Sequence, residues 1–119
     1  MFGKPTKAPF GIAPMGMCNL SAPGADLMLA RLAARENVPV GVSTVASTAL
    51  EAMIEEAQGN AWFQLYFSGD GVGTFKLVER AKSAGYETLI VTVDVPEVGR
   101  RPRELRHGFN MPFKIGPRQ

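Results

Sequence analysis

Histidine, cysteine and tryptophan occur once each in 119 residues, as His107, Cys18 and Trp62. A single cysteine excludes an intramolecular disulfide, and a free thiol suits a reducing, cytoplasmic setting. With so few soft ligands, no Cys/His/carboxylate cluster has metal spacing, and no metal is expected. Cys18 has no activating partner beside it, which argues against a nucleophile. Long apolar runs are missing too. No stretch reaches the roughly 18 residues of a membrane span. The first nine residues hold Lys4, Pro5, Lys7 and Pro9 but no apolar h-region, so they do not read as a secretory leader.

Charge of one sign is also scarce. Thirteen Lys and Arg stand against eleven Asp and Glu, a net charge of +2, which selects no partner. The basic surplus gathers late, at Arg100, Arg101, Arg103 and Arg106. Aromatics do not interleave with it, so no nucleic-acid partner is expected, and one or two arginines suit a small anion better. His107 follows in the same loop and reads as a solvated side chain rather than a base. Gly69, Gly71 and Gly73 have G-x-G-x-G spacing, which is not the dinucleotide fingerprint.

What is present is apolar material in two alternating rhythms. Hydrophobic residues make up 45% of the chain, enough for a one-domain core. Residues 10–14, 38–43, 61–67 and 88–94 are short, mostly apolar runs and predict four strands. Between them lie helical stripes. Ala25, Leu29, Leu32 and Ala33 form one face over 24–37, with Asp26 and Arg35 placed to suit the helix dipole. Thr48 and Glu51 have capping-box spacing before Leu50, Met53, Ile54 and Ala57. Leu77, Val78, Ala81 and Ala84 form the third stripe, and Gly85 is a stop signal. After Pro96 the periodicity fades, which predicts a long loop or lid over 96–119. The order βαβαβαβ, with strands apolar on both faces, predicts an α/β fold with a buried parallel sheet. An open doubly wound sheet and part of a (β/α)8 barrel both fit. A whole barrel needs about 250 residues, so the second reading means four strands and three helices of eight.

Polar residues interrupt the strands at one end only. Ser43 ends the second, Gln64 and Tyr66 the third, and Thr92 and Asp94 the fourth. Parallel architectures bind ligands at the C-terminal ends of their strands. Residues two apart on a strand share a face, so the five groups should project toward one rim. A carboxylate at Asp94, entering an apolar strand, needs a partner.

Four segments then resemble one family in order and spacing: Ala13-Pro14-Met15-Gly16-Met17, Val42-Ser43-Thr44, Phe63-Gln64-Leu65-Tyr66, and Thr92-Val93-Asp94-Val95-Pro96 with Gly99-Arg100-Arg101. Together they are similar to the FMN-dependent 2-hydroxy acid dehydrogenases and oxidases, which include glycolate oxidase, flavin lactate dehydrogenase and mandelate dehydrogenase. The resemblance implies a partial (β/α)8 TIM barrel, an FMN cofactor and a small 2-hydroxy acid substrate. It implies that Pro14, Met15 and Gly16 set backbone against the flavin, and that Ser43, Gln64 and Thr92 bond the ring's polar edge. Tyr66 would offer its hydroxyl to substrate, Asp94 would orient the catalytic histidine, and Arg101 would hold an anionic substrate from the loop. Plant members carry Thr and Ala where Met15 and Gly16 stand, and Trp at Val45, which implies a different substrate pocket. The family's catalytic histidine and its carboxylate-binding arginine would lie beyond Gln119, and a substrate tyrosine before Met1. The chain alone is therefore expected to be inactive. With two open sheet edges, it is expected to form a homo-oligomer. The competing expectation is a non-catalytic half-barrel that binds flavin or self-associates.

Overall fold

The computed structural model describes residues 1–67, 69, 71–94 and 102–108. Its elements are β1 (Ile12–Met15), α1 (Cys18–Ser21), α2 (Ala25–Glu36), β2 (Val40–Ser43), α3 (Leu50–Glu56), β3 (Ala61–Tyr66), α4 (Val72–Ser83), β4 (Leu89–Thr92) and α5 (Pro102–Arg106). The strands form one parallel sheet in the order β1-β2-β3-β4, as the sequence predicts. Pairing is regular from β2 to β4, with Ser43 beside Gln64 and Tyr66 beside Thr92.

The core lies between the sheet and the helices. Val40, Val42, Phe63 and Leu65 meet Ala30, Ala33, Leu50, Met53, Ile54, Ala57 and Ala81. Burying a side chain such as Phe63 contributes on the order of 1.5–3 kcal/mol. Phe63 also meets the Tyr86 ring edge-on at 5.9 Å, and the Tyr86 hydroxyl donates to the Leu50 carbonyl at 2.7 Å. On the outer surface, paired hydrogen bonds from Arg31 to Glu56 and from Arg80 to Glu51 tie α2 to α3 and α3 to α4. These arginines hold both carboxyls below their ordinary range, chiefly through the hydrogen bonds.

Two glycines serve the geometry directly. A Cβ on Gly41 would stand 2.6 Å from Pro14 Cδ, so glycine lets β1 lie close against β2. Gly85, at φ +101°, follows the last turn of α4, where its N–H bonds the Lys82 carbonyl and the Tyr86 N–H bonds that of Ala81.

Several expectations are corrected. The strands are shorter than the apolar runs, and Asp94 lies two residues past β4 and is exposed rather than inside the strand. Thr48 does not cap α3. Ala49 holds the N-cap position without a side-chain bond, because Thr48 Oγ1 is taken by Asn19 Nδ2 at 3.3 Å and Glu51 by Arg80. The buried face of α2 runs through Asp26, Ala30 and Ala33, while Leu32 is exposed. Small alanines bring α2 close to its neighbours, Leu27 packs at the margin of the core, and Met28 and Leu32 turn outward. Two short helices were also not foreseen. The span 96–119 is not loop throughout, because α5 starts on Pro102, whose fixed φ suits a first helical position. The rest of that span, apart from His107 and Gly108, lies outside the described residues. Among the described residues, no helix is long and apolar enough to cross a membrane.

Candidate functional site

The rim of the sheet is built by strand alternation. Phe63 and Leu65 turn toward the helices, so Gln64 and Tyr66 take the opposite face of β3. Gln64 is 2% exposed although its side chain is polar. A buried amide must find partners, and it finds them on both adjacent strands. The Ser43 hydroxyl donates to Gln64 Oε1 at 3.0 Å, and Gln64 Nε2 donates to Thr92 Oγ1 at 2.8 Å. Three of the expected site residues thus form one hydrogen-bonded row across β2, β3 and β4.

The row is held from below and behind. The Val45 N–H donates to Ser43 Oγ at 3.2 Å, so the serine proton is directed at Gln64. Thr44 Oγ1 donates to the Gln64 carbonyl at 2.6 Å and accepts from the Tyr66 N–H at 3.1 Å. This hydroxyl continues the β2–β3 ladder past the last strand pair. Thr44 was not singled out from the sequence, where a threonine after a strand-end serine reads as loop.

Pro14, Met15 and Gly16 run off the end of β1 beside this row. The Met17 N–H bonds the Val45 carbonyl at 3.0 Å, and Met17 adopts a left-handed conformation with φ +55°. A Cβ on Gly16 would come within 2.6 Å of Val45 Cγ2, so the turn packs tightly on the β2–α3 loop. Tyr66 is exposed at the end of β3, and Asp94 is exposed beyond β4. Arg101 lies outside the described residues. His107 is exposed just after α5 and far in sequence from the row. Arg103 and Arg106 sit on α5, also exposed. Burial, then the neighbouring Asp26 carboxylate, pushes the Cys18 thiol above its ordinary value, consistent with an inert thiol. Among the described residues, no group of His, Cys, Asp and Glu could hold a metal.

The donor set fits the polar edge of an isoalloxazine ring, which alternates acceptors with an N–H donor. Beyond the two bonds that Gln64 makes in the row and the one that Thr92 accepts, the Gln64 amide and the Thr92 hydroxyl each have further hydrogen-bonding capacity.

A parallel βα sheet with a polar row at its C-terminal rim puts the chain in the α/β class whose ligands bind at the strand ends. The match to known proteins makes this particular. The family model described as FMN-dependent dehydrogenase matches residues 1–119, and the chain belongs to that FMN-dependent family. It is 40% identical over 112 residues to the 4-hydroxymandelate oxidase of Amycolatopsis orientalis, covering 94% of this chain and 31% of the relative. It is 38% identical over 117 residues to the L-lactate oxidase of Lysinibacillus sphaericus (strain C3-41), covering 98% and 30%. A crystal structure of mandelate oxidase with benzoyl-formic acid superposes with a TM-score of 0.87 at 39% identity, covering 94% of this chain and 33% of that one. The chain thus spans about a third of the length of these relatives, and its fold is a partial (β/α)8 TIM barrel.

Proposed function

We propose that this chain supplies the first four strands of an FMN-dependent enzyme that oxidises a 2-hydroxy acid, of the lactate, glycolate or mandelate kind, to the 2-oxo acid. By itself it binds flavin weakly and does not turn over. The observation that carries this reading is the Ser43–Gln64–Thr92 row, a preformed polar edge on the face away from the helices. These three residues hold the ring's polar edge, while Pro14, Met15 and Gly16 set backbone against its side. FMN, when bound, accepts the two electrons of the oxidation. Tyr66 offers its hydroxyl to the substrate, Asp94 orients a histidine base contributed from a later strand, and Arg101 steadies the substrate carboxylate. The stretch 96–119, with α5 in it, belongs to the active-site region. A reducing cytoplasmic setting suits the free thiol, and nucleic acid is not a partner.

The test is a flavin titration followed by fluorescence, with an oxidation assay on lactate, glycolate and mandelate using an artificial electron acceptor. Weak FMN binding that is lost in Gln64→Leu, with no turnover, supports the reading. Turnover that disappears in His107→Ala overturns it, because the base would then lie within this chain.

A second reading, a self-associating half-barrel, is favoured by the open β4 edge. Leu89 and Val91 are exposed and Val93 is 85% exposed. An unprotected strand edge templates pairing with another chain, and a two-fold pairing would give a closed homo-oligomer. Light scattering after size exclusion, over a range of concentrations, tests it; a monomer throughout would refute it.

A further inference from the structure

We propose that Asp26 is a positioning residue for the flavin-facing row, acting through the loop between β2 and α3; the inference rests on the function proposed above. Asp26 lies in the first turn of α2, where sequence periodicity would put it in solvent, yet it is 3% exposed. Its carboxylate makes no capping bond to its own helix, whose N-cap is Gly24. Instead Oδ2 accepts the N–H of Ser47, 21 residues on, at 2.9 Å, and the same carboxylate helps to push the Cys18 thiol up. The Asp26 N–H donates to Asn19 Oδ1 at 3.3 Å, and Asn19 Nδ2 donates to Thr48 Oγ1 at 3.3 Å. Helix α1, the start of α2 and the loop at 47–48 are therefore one knot around a buried carboxylate.

That loop controls the row. It is fixed at one end by the Ala46 N–H on the Ser43 carbonyl at 3.0 Å and at the other by Asp26. Val45 lies inside the turn that Ala46 closes on Ser43, two residues before the Ser47 anchor. Its N–H occupies a lone pair of Ser43 Oγ, which directs the serine proton to Gln64 Oε1. With its oxygen so fixed, the Gln64 amide must present Nε2 to Thr92. The Val45 carbonyl meanwhile holds the Met17 N–H and with it the turn after Gly16. Displacing Val45 would disturb both the amide orientation and that turn. A carboxylate is the strong form of acceptor for a backbone N–H, and the helix N-terminus favours its charge.

Site-resolved amide exchange on the full chain, with Asp26→Ala and Asp26→Asn, tests the proposal without needing flavin. A hydrogen bond to a charged acceptor resists opening by a factor on the order of ten to a hundred. In Asp26→Ala, the Ser47, Val45 and Met17 amides should exchange faster by about that factor. The Gln64 side-chain amide resonances should broaden or shift, while Ala33 and Phe63 keep their protection. Asp26→Asn, which keeps an acceptor, should restore most of the protection. If Asp26→Ala does not fold, Asp26→Asn decides, with severalfold acceleration at Ser47 and Val45 expected over an unchanged core. Acceleration at Ser47 alone, with Val45 and Gln64 untouched, overturns the proposal. So does equal acceleration throughout the chain, which would make Asp26 a general structural residue. FMN affinity should fall in step with Val45 protection. Wild-type chain that binds no FMN would instead refute the proposed function, leaving the exchange result to judge Asp26.

Discussion

Replacing Gln64 with leucine removes the centre of the row while nearly conserving volume. Two hydrogen bonds are lost, at 3.0 Å to Ser43 and 2.8 Å to Thr92, but they do not cost the same. Thr92 is only partly buried, so water can replace its lost partner. Ser43 is buried, and its O–H is left without an acceptor. An unsatisfied buried hydroxyl costs about 1–3 kcal/mol. Leucine offsets part of this, because it needs no partner of its own. A net loss of about 1–2 kcal/mol follows. The assay is urea denaturation of the wild type, Gln64→Leu, Ser43→Ala and the double variant at one protein concentration. Once the serine hydroxyl is gone, leucine leaves nothing orphaned at position 43. The double variant should therefore be less destabilised than the sum of the singles, with a coupling of about 0.5–2 kcal/mol. Strict additivity, or a Gln64→Leu chain as stable as the wild type, would refute the reasoning. It would mean that the buried amide is not bonded to Ser43 in solution.

Other outcomes follow from the same contacts. Gly41→Ala places a methyl 2.6 Å from Pro14 Cδ and should cost about 1–3 kcal/mol by overpacking, with shifted NMR signals for residues 14–16. Tyr86 is held neutral by burial first and by the Glu51 charge second, so its folded-state pKa is raised. Its contribution is therefore intact below the ordinary tyrosine value of about 10 and is lost as pH rises above it. Tyr86→Phe should lose about 1 kcal/mol at neutral pH with the Leu50 bond, and thermal melts should show flatter alkaline destabilisation than the wild type. Glu51 and Glu56 are held below their ordinary range by Arg80 and Arg31. Their contribution is present above the ordinary carboxylate range and is lost as pH falls through the depressed values. Because the pairs are exposed, added salt should flatten that acid limb, which melting in low and high salt will show.

The sheet was legible because its strands are apolar on both faces. A polar residue inside such a run is conspicuous, and this is how Ser43, Gln64 and Thr92 stood out. Their mutual bonding follows from parallel register, which sets Ser43 beside Gln64 and leaves Thr92 one diagonal step away. Asp26 and Thr44 were not legible, for different reasons. Helical periodicity assigns a carboxylate in a first turn to solvent, and only the return of the chain at Ser47 supplies the donor that makes burial tolerable. Thr44 lies past the last strand residue, where local patterning ends. The α2 stripe was partly legible: Ala33 is buried as periodicity predicts, whereas Leu32 is exposed and Ala30 is buried, because close helix packing selects by size as well as by hydrophobicity. The α5 turn was hidden by an arginine-rich composition without an apolar face.

The same physics separates what this chain can hold from what it can do. The Ser43–Gln64–Thr92 row, proposed above to meet the flavin edge, is bonded through neighbouring strands and the loop after β2, all within residues 12–92. Its geometry is therefore set by contacts within this sheet. Tyr66 and Asp94 differ, being exposed at the ends of their strands. On the function proposed above, an exposed tyrosine and an exposed carboxylate would act only with a base and a substrate brought by further strands and loops. Hence substitutions in the row should act on flavin binding and stability already in this chain. Substitutions at Tyr66 and Asp94 should leave both nearly unchanged here and act on turnover only where the remaining strands are present. A Tyr66→Phe chain that loses FMN affinity as severely as Gln64→Leu would contradict that division, because it would place the tyrosine hydroxyl on the cofactor rather than on the substrate.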